Sequence, residues 1–394
     1  MTRPRLLVLS FSPIASDARV LKQVRLFADR YDVTTCGYGP APEGVVRHLR
    51  VPDDAVHWHK DPVALLTRRY RAVYARNAAF AAARAMLADH EFDAVLADDV
   101  DAVPLAVEIA PRLASGRAAV HADLHEYAPA QNEELLRWRL FVAPYVRWLL
   151  RRHVTQAASV TTVAPGIAAA YRARYGLDAG VVVNAAPYAE REPGPVGDPL
   201  RLVHTGAGLR GRRLELMIDA VALTSADVTL DLFLTPNDPG YVGELRTRAA
   251  AVPGVTVHDP VPYAELDGVL AGFDVGVFVL PPVNRNYANA LPNKLFDFVQ
   301  ARLGVVVGPG PEMARLVREH GLGAVASANT AEALAEVLDT VTPADVARWK
   351  AASHAAARAL SAEEQSTAWS RAIATIAPTV PPPPLPRDRG VAPR

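Results

Sequence analysis

The sequence predicts an α/β protein built from two doubly wound, mostly parallel sheets that face each other across a central cleft. Three observations predict it. Short Val-rich runs recur between helical stretches along the whole chain. The runs are continuously apolar, as in strands covered on both faces, where a half-exposed strand would alternate. The series breaks at a loop rich in Pro, Gly and Glu, residues 187–199, and then starts again. A chain of 394 residues has the length and apolar content for two such cores.

The first series places strands at 5–10, 32–38, 93–98, 118–123, 159–163 and 180–184. Strand one leads through Ser12 and Pro13 into an amphipathic helix whose cap is Ser16 or Asp17. The only cysteine, Cys36, ends strand two, where it reads as a buried small hydrophobe and excludes an internal disulfide framework. The fourth strand ends in Asp123-Leu124-His125-Glu126-Tyr127, a histidine and two carboxylates that hydrogen-bond sugar hydroxyls or buffer a proton if they face the cleft, and cap a helix if they do not. Residues 133–154 form a helical region, interrupted by Pro144, with Arg137, Arg147, Arg151 and Arg152 on one side and Leu136, Trp138, Phe141, Trp148 and Leu149 as apolar surface. Such a region packs on the core with a solvated basic stripe, the favoured reading, or rests on an anionic bilayer.

The second series places strands at 200–205, 228–234, 255–259, 273–280, 304–308 and 323–327. Its first strand ends in His204-Thr205-Gly206-Ala207-Gly208-Leu209-Arg210-Gly211-Arg212-Arg213, glycines for close backbone approach followed by guanidinium groups that suit a diphosphate. Arg210, Arg212 and Arg213 are the candidates there. After the 273–280 strand, residues 286–301 read Asn-Tyr-Ala-Asn-Ala-Leu-Pro-Asn-Lys-Leu-Phe-Asp-Phe-Val-Gln-Ala. Pro292 opens a helix whose free N–H groups, near Asn293 and beside Lys294, form an anion site, with Asp297 one turn further in for a ribose. Glu312 starts a later helix, where it meets a sugar hydroxyl or complements the helix dipole. The domains expected are 1–190 and 191–361, then a helix at 362–377 containing Trp369 and an extended Pro-rich tail, 378–394.

Forty-two basic residues balance forty-two acidic ones, so no global field draws nucleic acid. The N-terminus runs directly into a strand too short for a signal peptide core, and no stretch reaches membrane-spanning length without charges, so the expected setting is cytoplasmic, soluble or peripheral at the inner face of the membrane. Asp99-Val100-Asp101 and His57-Trp58-His59 imitate metal ligands, but neither has further ligands in sequence reach, and no metal or cofactor is expected.

The 286–301 segment resembles the donor-nucleotide motif of retaining glycosyltransferases of the GT-B fold, particularly family 4 and its relatives. Those enzymes carry two acidic residues eight positions apart; this chain keeps Asp297 at the second place and has Asn289 at the first. Asp123-Leu124-His125-Glu126 resembles the Asp-x-His-Glu signature of many such enzymes. The resemblance implies two Rossmann-like domains, a C-terminal helix crossing back to the first, and a first loop, with Ser12 and Arg19, closing over the cleft. There Arg19 meets a phosphate or acceptor, or forms a structural salt bridge. It also implies Arg212 and Lys294 on the leaving diphosphate, Val261 near the base, and retaining, metal-independent transfer of a sugar from a nucleotide diphosphate to a hydroxyl acceptor. An epimerase or hydrolase on the same fold, and a non-catalytic nucleotide-sugar-binding subunit, are the rival readings.

Overall fold

The computed structural model describes residues 3–379. The first sheet has seven parallel strands: β1 (Arg5–Pro13), β2 (Asp32–Tyr38), β3 (Arg47–Arg50), β4 (Ala94–Asp98), β5 (Ala118–Asp123), β6 (Ala157–Thr162) and β7 (Ala179–Val181), in the order β3-β2-β1-β4-β5-β6-β7. The second has six: β8 (Leu200–Ala207), β9 (Val228–Thr235), β10 (Val255–His258), β11 (Val275–Phe278), β12 (Gly304–Val307) and β13 (Gly323–Val325), in the order β10-β9-β8-β11-β12-β13. Each is an α/β doubly wound sheet, and the strand order reverses between β1 and β4 and again between β8 and β11. In such sheets the crevice outside the carboxyl ends at the reversal is where ligands sit.

Continuous burial explains the strands. Leu6 to Leu9 of β1, the whole of β4 and β5, and the whole of β12 are buried because helices cover both faces. The strand missing from the sequence reading is β3, Arg-His-Leu-Arg at the sheet edge, which carries no apolar run because solvent covers it.

Asp17 is the helix cap, accepting from the backbone N–H of Arg19 at 3.0 Å and of Val20 at 3.2 Å. Pro144 lies in the first turn of a helix, Ala143–Arg152, whose Tyr145, Val146, Leu149 and Leu150 are buried; it opens that helix where the sequence reading had it interrupt one. Pro292 caps the helix Asn293–Gln300 from just outside it. The 362–376 stretch is broken at Ser366, and its second piece, Thr367–Ile376, packs on the first sheet. Trp369, Ile373 and Ile376 join Leu6, Val8, Val20 and Leu96 in one apolar cluster. Cys36 is buried, and burial pushes its thiol up to about 12. Residues 380–394 of the expected tail lie outside the described residues.

Candidate active site in the interdomain cleft

A cavity of about 630 Å³ lies between the carboxyl ends of both sheets. The second domain contributes its phosphate-type candidates together. Lys294 comes from the first turn of the helix Asn293–Gln300, and its ammonium stands 3.0 Å from Nε2 of His204, a buried residue of β8, and 4.0 Å from the centre of the Phe278 ring. His204 is held by the Val277 carbonyl at 2.9 Å from Nδ1. Among the described residues no carboxylate pairs with Lys294, and burial, then Arg212, push its pKa well below the ordinary lysine value. Burial and Lys294 lower His204 in the same way.

Of the three loop arginines, two are used. Arg210 makes a two-pronged pair with Glu244 at 2.7 and 2.8 Å over the Tyr241 ring, and Arg213 pairs with Glu215. Neither lines the cavity. Arg212 does, and among the described residues its guanidinium has no hydrogen-bonding or ionic partner. Between it and Lys294 lies Gly206, with φ at 129°, where an added Cβ would meet Lys294 Nζ at 3.0 Å and Arg212 Nη1 at 3.5 Å. A glycine is required there by both the backbone conformation and the approach of two cationic groups.

Asp297 lies on the same helix and accepts from the Tyr263 hydroxyl at 3.3 Å; burial raises its pKa to about 6, against the effect of that hydrogen bond. Val261, Pro260, Phe233, Thr235 and Leu266 wall the adjoining end of the cavity. Asn289, Asn293, Lys294 and Asp297 all line it.

The first-domain wall is organised differently. Asp123, fully buried at the end of β5, accepts from Arg19 at 2.7 and 2.9 Å, from Gln23 at 2.8 Å and from Thr161 at 3.0 Å. Burial opposes its charge, but Arg19 and then His125 outweigh that and hold it at about 2. Arg19 donates also to the Val182 carbonyl and lies 4.7 Å from the Trp369 ring centre, so the salt-bridge alternative describes it, although it borders the cavity. Asp98, unremarked in the sequence reading, receives Gln23 at 2.9 Å and His125 at 3.3 Å.

His125 is held at φ 51°, with its carbonyl accepting from Thr162 at 2.5 Å. Burial disfavours its charge, yet Asp99, Asp98 and Asp123 together bring its pKa up to about 10. These carboxylates favour the charged form of the ring, whose Nε2 faces Asp98 at 3.3 Å and whose Nδ1 faces Asp99 at 3.6 Å. Asp98, Asp123 and His125 present ligand atoms within 4.8 Å of one another, the spacing of a metal cluster. Their charges are already met by Arg19 and the imidazolium, so a cation would have to displace one of them. Asp101 pairs with Lys60 at 3.4 Å, and the His57 ring stacks on Phe11.

Cross-domain hydrogen bonds join the walls. Asn286 accepts from the Tyr127 backbone N–H at 2.9 Å and donates to Glu126 at 3.3 Å. Glu312 accepts from the Gly166 N–H at 2.6 Å, capping the first-domain helix Pro165–Tyr175, with its other oxygen 3.4 Å from Arg315. A Cβ on Gly166 would lie 2.4 Å from Asn289 Oδ1 and 2.8 Å from Glu312 Oε1, so this glycine permits the approach. Glu312 is thus committed to interdomain packing, and neither Glu312 nor Ser12, which bonds Ser10 at 2.9 Å, lines the cavity.

Comparison with solved structures identifies the architecture. HepE of Anabaena, crystallised with UDP and glucose, superposes with a TM-score of 0.66 at 14% identity, covering 95% of this chain and 100% of that one. Sucrose-phosphate synthase of Thermosynechococcus elongatus gives 0.68 at 13% identity over 94% and 98%. WaaG, a glycosyltransferase involved in lipopolysaccharide biosynthesis, gives 0.61 at 14% identity over 94% and 99%. The fold is GT-B. No family model and no curated protein matches the sequence. In this GT-B chain Phe278, Tyr263 and Asn286 line the cleft with His204 and Asp98 buried behind it, and sequence reasoning selected none of these five. The available signal was polarity inside an apolar strand, as in Leu-Val-His-Thr of β8 and at the end of β4.

Proposed function

We propose that this protein is a glycosyltransferase that moves a sugar from a nucleotide-diphosphate donor to a hydroxyl acceptor, with retention and without a metal. The observation that carries the reading is the pair Lys294 and Arg212, two basic side chains without carboxylate partners among the described residues, flanking Gly206 at the mouth of the helix Asn293–Gln300. An anion is the ligand such a site lacks.

As the bond from the anomeric carbon to the diphosphate loosens, negative charge builds on the leaving oxygen, and Lys294, Arg212 and the helix N-terminus stabilise it. Asp297 accepts from a ribose hydroxyl, and Phe233 and Val261 border the base. Facing them, the His125 imidazolium and Glu126 meet the transferred sugar. Retention rests on the family 4 resemblance, and metal independence on the supply of positive charge by side chains. The UDP and glucose bound by HepE support a nucleotide sugar as donor. The setting proposed is the cytoplasm, with peripheral contact to the inner face of the membrane through residues 133–154; among the described residues no helix is long and apolar enough to cross one.

Calorimetric titration with nucleoside diphosphates tests the reading at its root, followed by transfer assays under exhaustive chelation. Binding of a diphosphate that Lys294→Ala weakens, and transfer that survives chelation, are expected. Absence of any nucleotide binding by the parent protein overturns the proposal, and an absolute need for a divalent ion overturns its metal-free part.

A further inference from the structure

Seven of the eleven large hydrophobic side chains exposed among the described residues fall in one region of the first domain: Trp58, Val63, Leu66, Leu135, Leu136, Leu140 and Phe141. The short helix Pro62–Leu66 packs against the helical turn Trp138–Val142, which brings Val63 and Leu66 beside Leu140 and Phe141, with Leu135 and Leu136 in the segment just before that turn. Val63, Leu66, Leu136 and Leu140 are between 54 and 67% exposed. Scattered apolar residues on a surface are ordinary, whereas a contiguous patch marks a contact.

Beside the patch lies an open depression of about 610 Å³ lined by Arg68, Arg147, Arg151 and Arg152 with Tyr70 and Trp148. None of the four guanidinium groups is in an ion pair among the described residues, in a chain whose arginines elsewhere commonly pair with acids. The same protein is neutral overall, so this is a local concentration of charge.

We propose that this face docks on an anionic phospholipid bilayer, with the apolar side chains in the acyl boundary and the arginine depression holding a phosphate headgroup. The two halves select the partner together. Arginines alone would suit any polyanion, and leucines alone any apolar surface; a bilayer with anionic headgroups presents both at the depth a surface helix reaches. The core-facing reading of residues 143–152 remains correct for Tyr145, Val146, Leu149 and Leu150, and the bilayer contact uses the opposite side and the turn before it.

The position of the face gives it a consequence for the cleft. Glu133 accepts from the Arg285 backbone N–H at 2.6 Å and Glu134 lies 3.4 Å from Asn284 Nδ2, both on the second-domain loop that carries Asn286 and Asn289. The exposed leucines follow immediately, so docking sets the cleft rim against the membrane. Resting on the proposed sugar transfer, this assigns a membrane-borne hydroxyl acceptor, with its reacting hydroxyl at the headgroup level.

Flotation with vesicles tests the docking, using phosphatidylcholine alone and phosphatidylcholine with about a third phosphatidylglycerol. The protein is expected to float with the anionic vesicles and not the neutral ones, and to be released by salt as surface charges are screened. Leu140→Glu with Phe141→Glu should abolish flotation, and Arg147→Ser with Arg151→Ser should lower partitioning by tenfold or more. Both pairs are at the surface, and unchanged melting and nucleoside diphosphate affinity confirm that each variant is folded. Equal flotation with both vesicle types, no flotation at all, or a concentration-dependent dimer that Leu140→Glu with Phe141→Glu dissolves would overturn the docking. Because nucleotide affinity is measured separately, loss of flotation with intact nucleotide binding removes the membrane face alone, and flotation without nucleotide binding removes the transferase reading alone.

Discussion

The two walls of the cleft solve opposite electrostatic problems. On the first domain the charges at the end of β5 are met inside the protein: Arg19 with Asp123, and His125 with Asp98 and Asp99. On the second, Lys294 and Arg212 are brought close together with only a neutral imidazole and an aromatic ring for company. A compensated wall is preorganised before anything binds, while a cationic wall without counter-charges is strained until an anion arrives. The contrast locates the leaving group on one side and the positioning machinery on the other.

The largest effect is expected where the compensated wall is broken. Arg19→Met leaves Asp123 buried beside Asp98 with its main counter-charge removed, and breaking a buried pair costs about 3–5 kcal/mol. Thermal or denaturant unfolding should register it as a large stability loss, with Asp123→Asn similar. Should Arg19→Met melt with the parent protein, the first wall is not a closed electrostatic unit and the contrast between the walls fails.

On the uncompensated wall the expectation reverses. Lys294→Ala relieves a repulsion with Arg212, so stability should hold or rise, while transfer falls about 10²- to 10³-fold through loss of a cation at the developing charge. Gly206→Ala should lower transfer with less force, because its Cβ crowds Nζ of Lys294 at 3.0 Å, and should cost stability, because φ at 129° strains any residue with a Cβ. Nucleoside diphosphate affinity and melting temperature, measured on the same samples, separate the two effects.

How much of this was legible in the chain follows from the forces involved. Both sheets could be read because burial on two faces writes continuous apolar runs, and β3 could not because an edge strand of Arg-His-Leu-Arg has no such signature. Asp297, Lys294 and Asn289 were legible as one local segment with a helix start. His204 and Lys294 are 90 positions apart and Arg19 and Asp123 are 104 apart, so no spacing rule links them. The sequence could offer three arginines in one loop, but only the fold shows that Glu244 and Glu215 occupy two of them and leave Arg212 facing the cavity. The role of Glu312 as a cap on Pro165–Tyr175 was likewise invisible, since the donor helix belongs to the other domain.

The smallest effect sharpens the comparison within the second wall itself. The Asp297 carboxyl has its pKa raised to about 6 by burial, opposed by Tyr263, so the free protein holds it protonated below that pH. If its carboxylate accepts from a ribose hydroxyl, the complex favours the ionised form, and binding releases a proton near pH 6. Affinity for a nucleoside diphosphate should therefore fall as pH drops through 6. Lys294 acts with the opposite sign: its pKa is lowered in the free protein, a bound diphosphate raises it, and affinity falls as pH rises past the free value. Asp297→Asn should keep the alkaline limb and lose the acidic one, with a cost at neutral pH of about 1.5–3 kcal/mol for a hydrogen bond to a charged group. Calorimetry across the pH range in buffers of differing ionisation enthalpy reads both affinity and proton count. An acidic limb that persists in Asp297→Asn beyond the one set by the ligand's own terminal phosphate, whose second pKa is about 6, would move the titrating group off the second wall, to Asp98, whose pKa burial also raises to about 6, and would show that the compensated wall responds to the nucleotide.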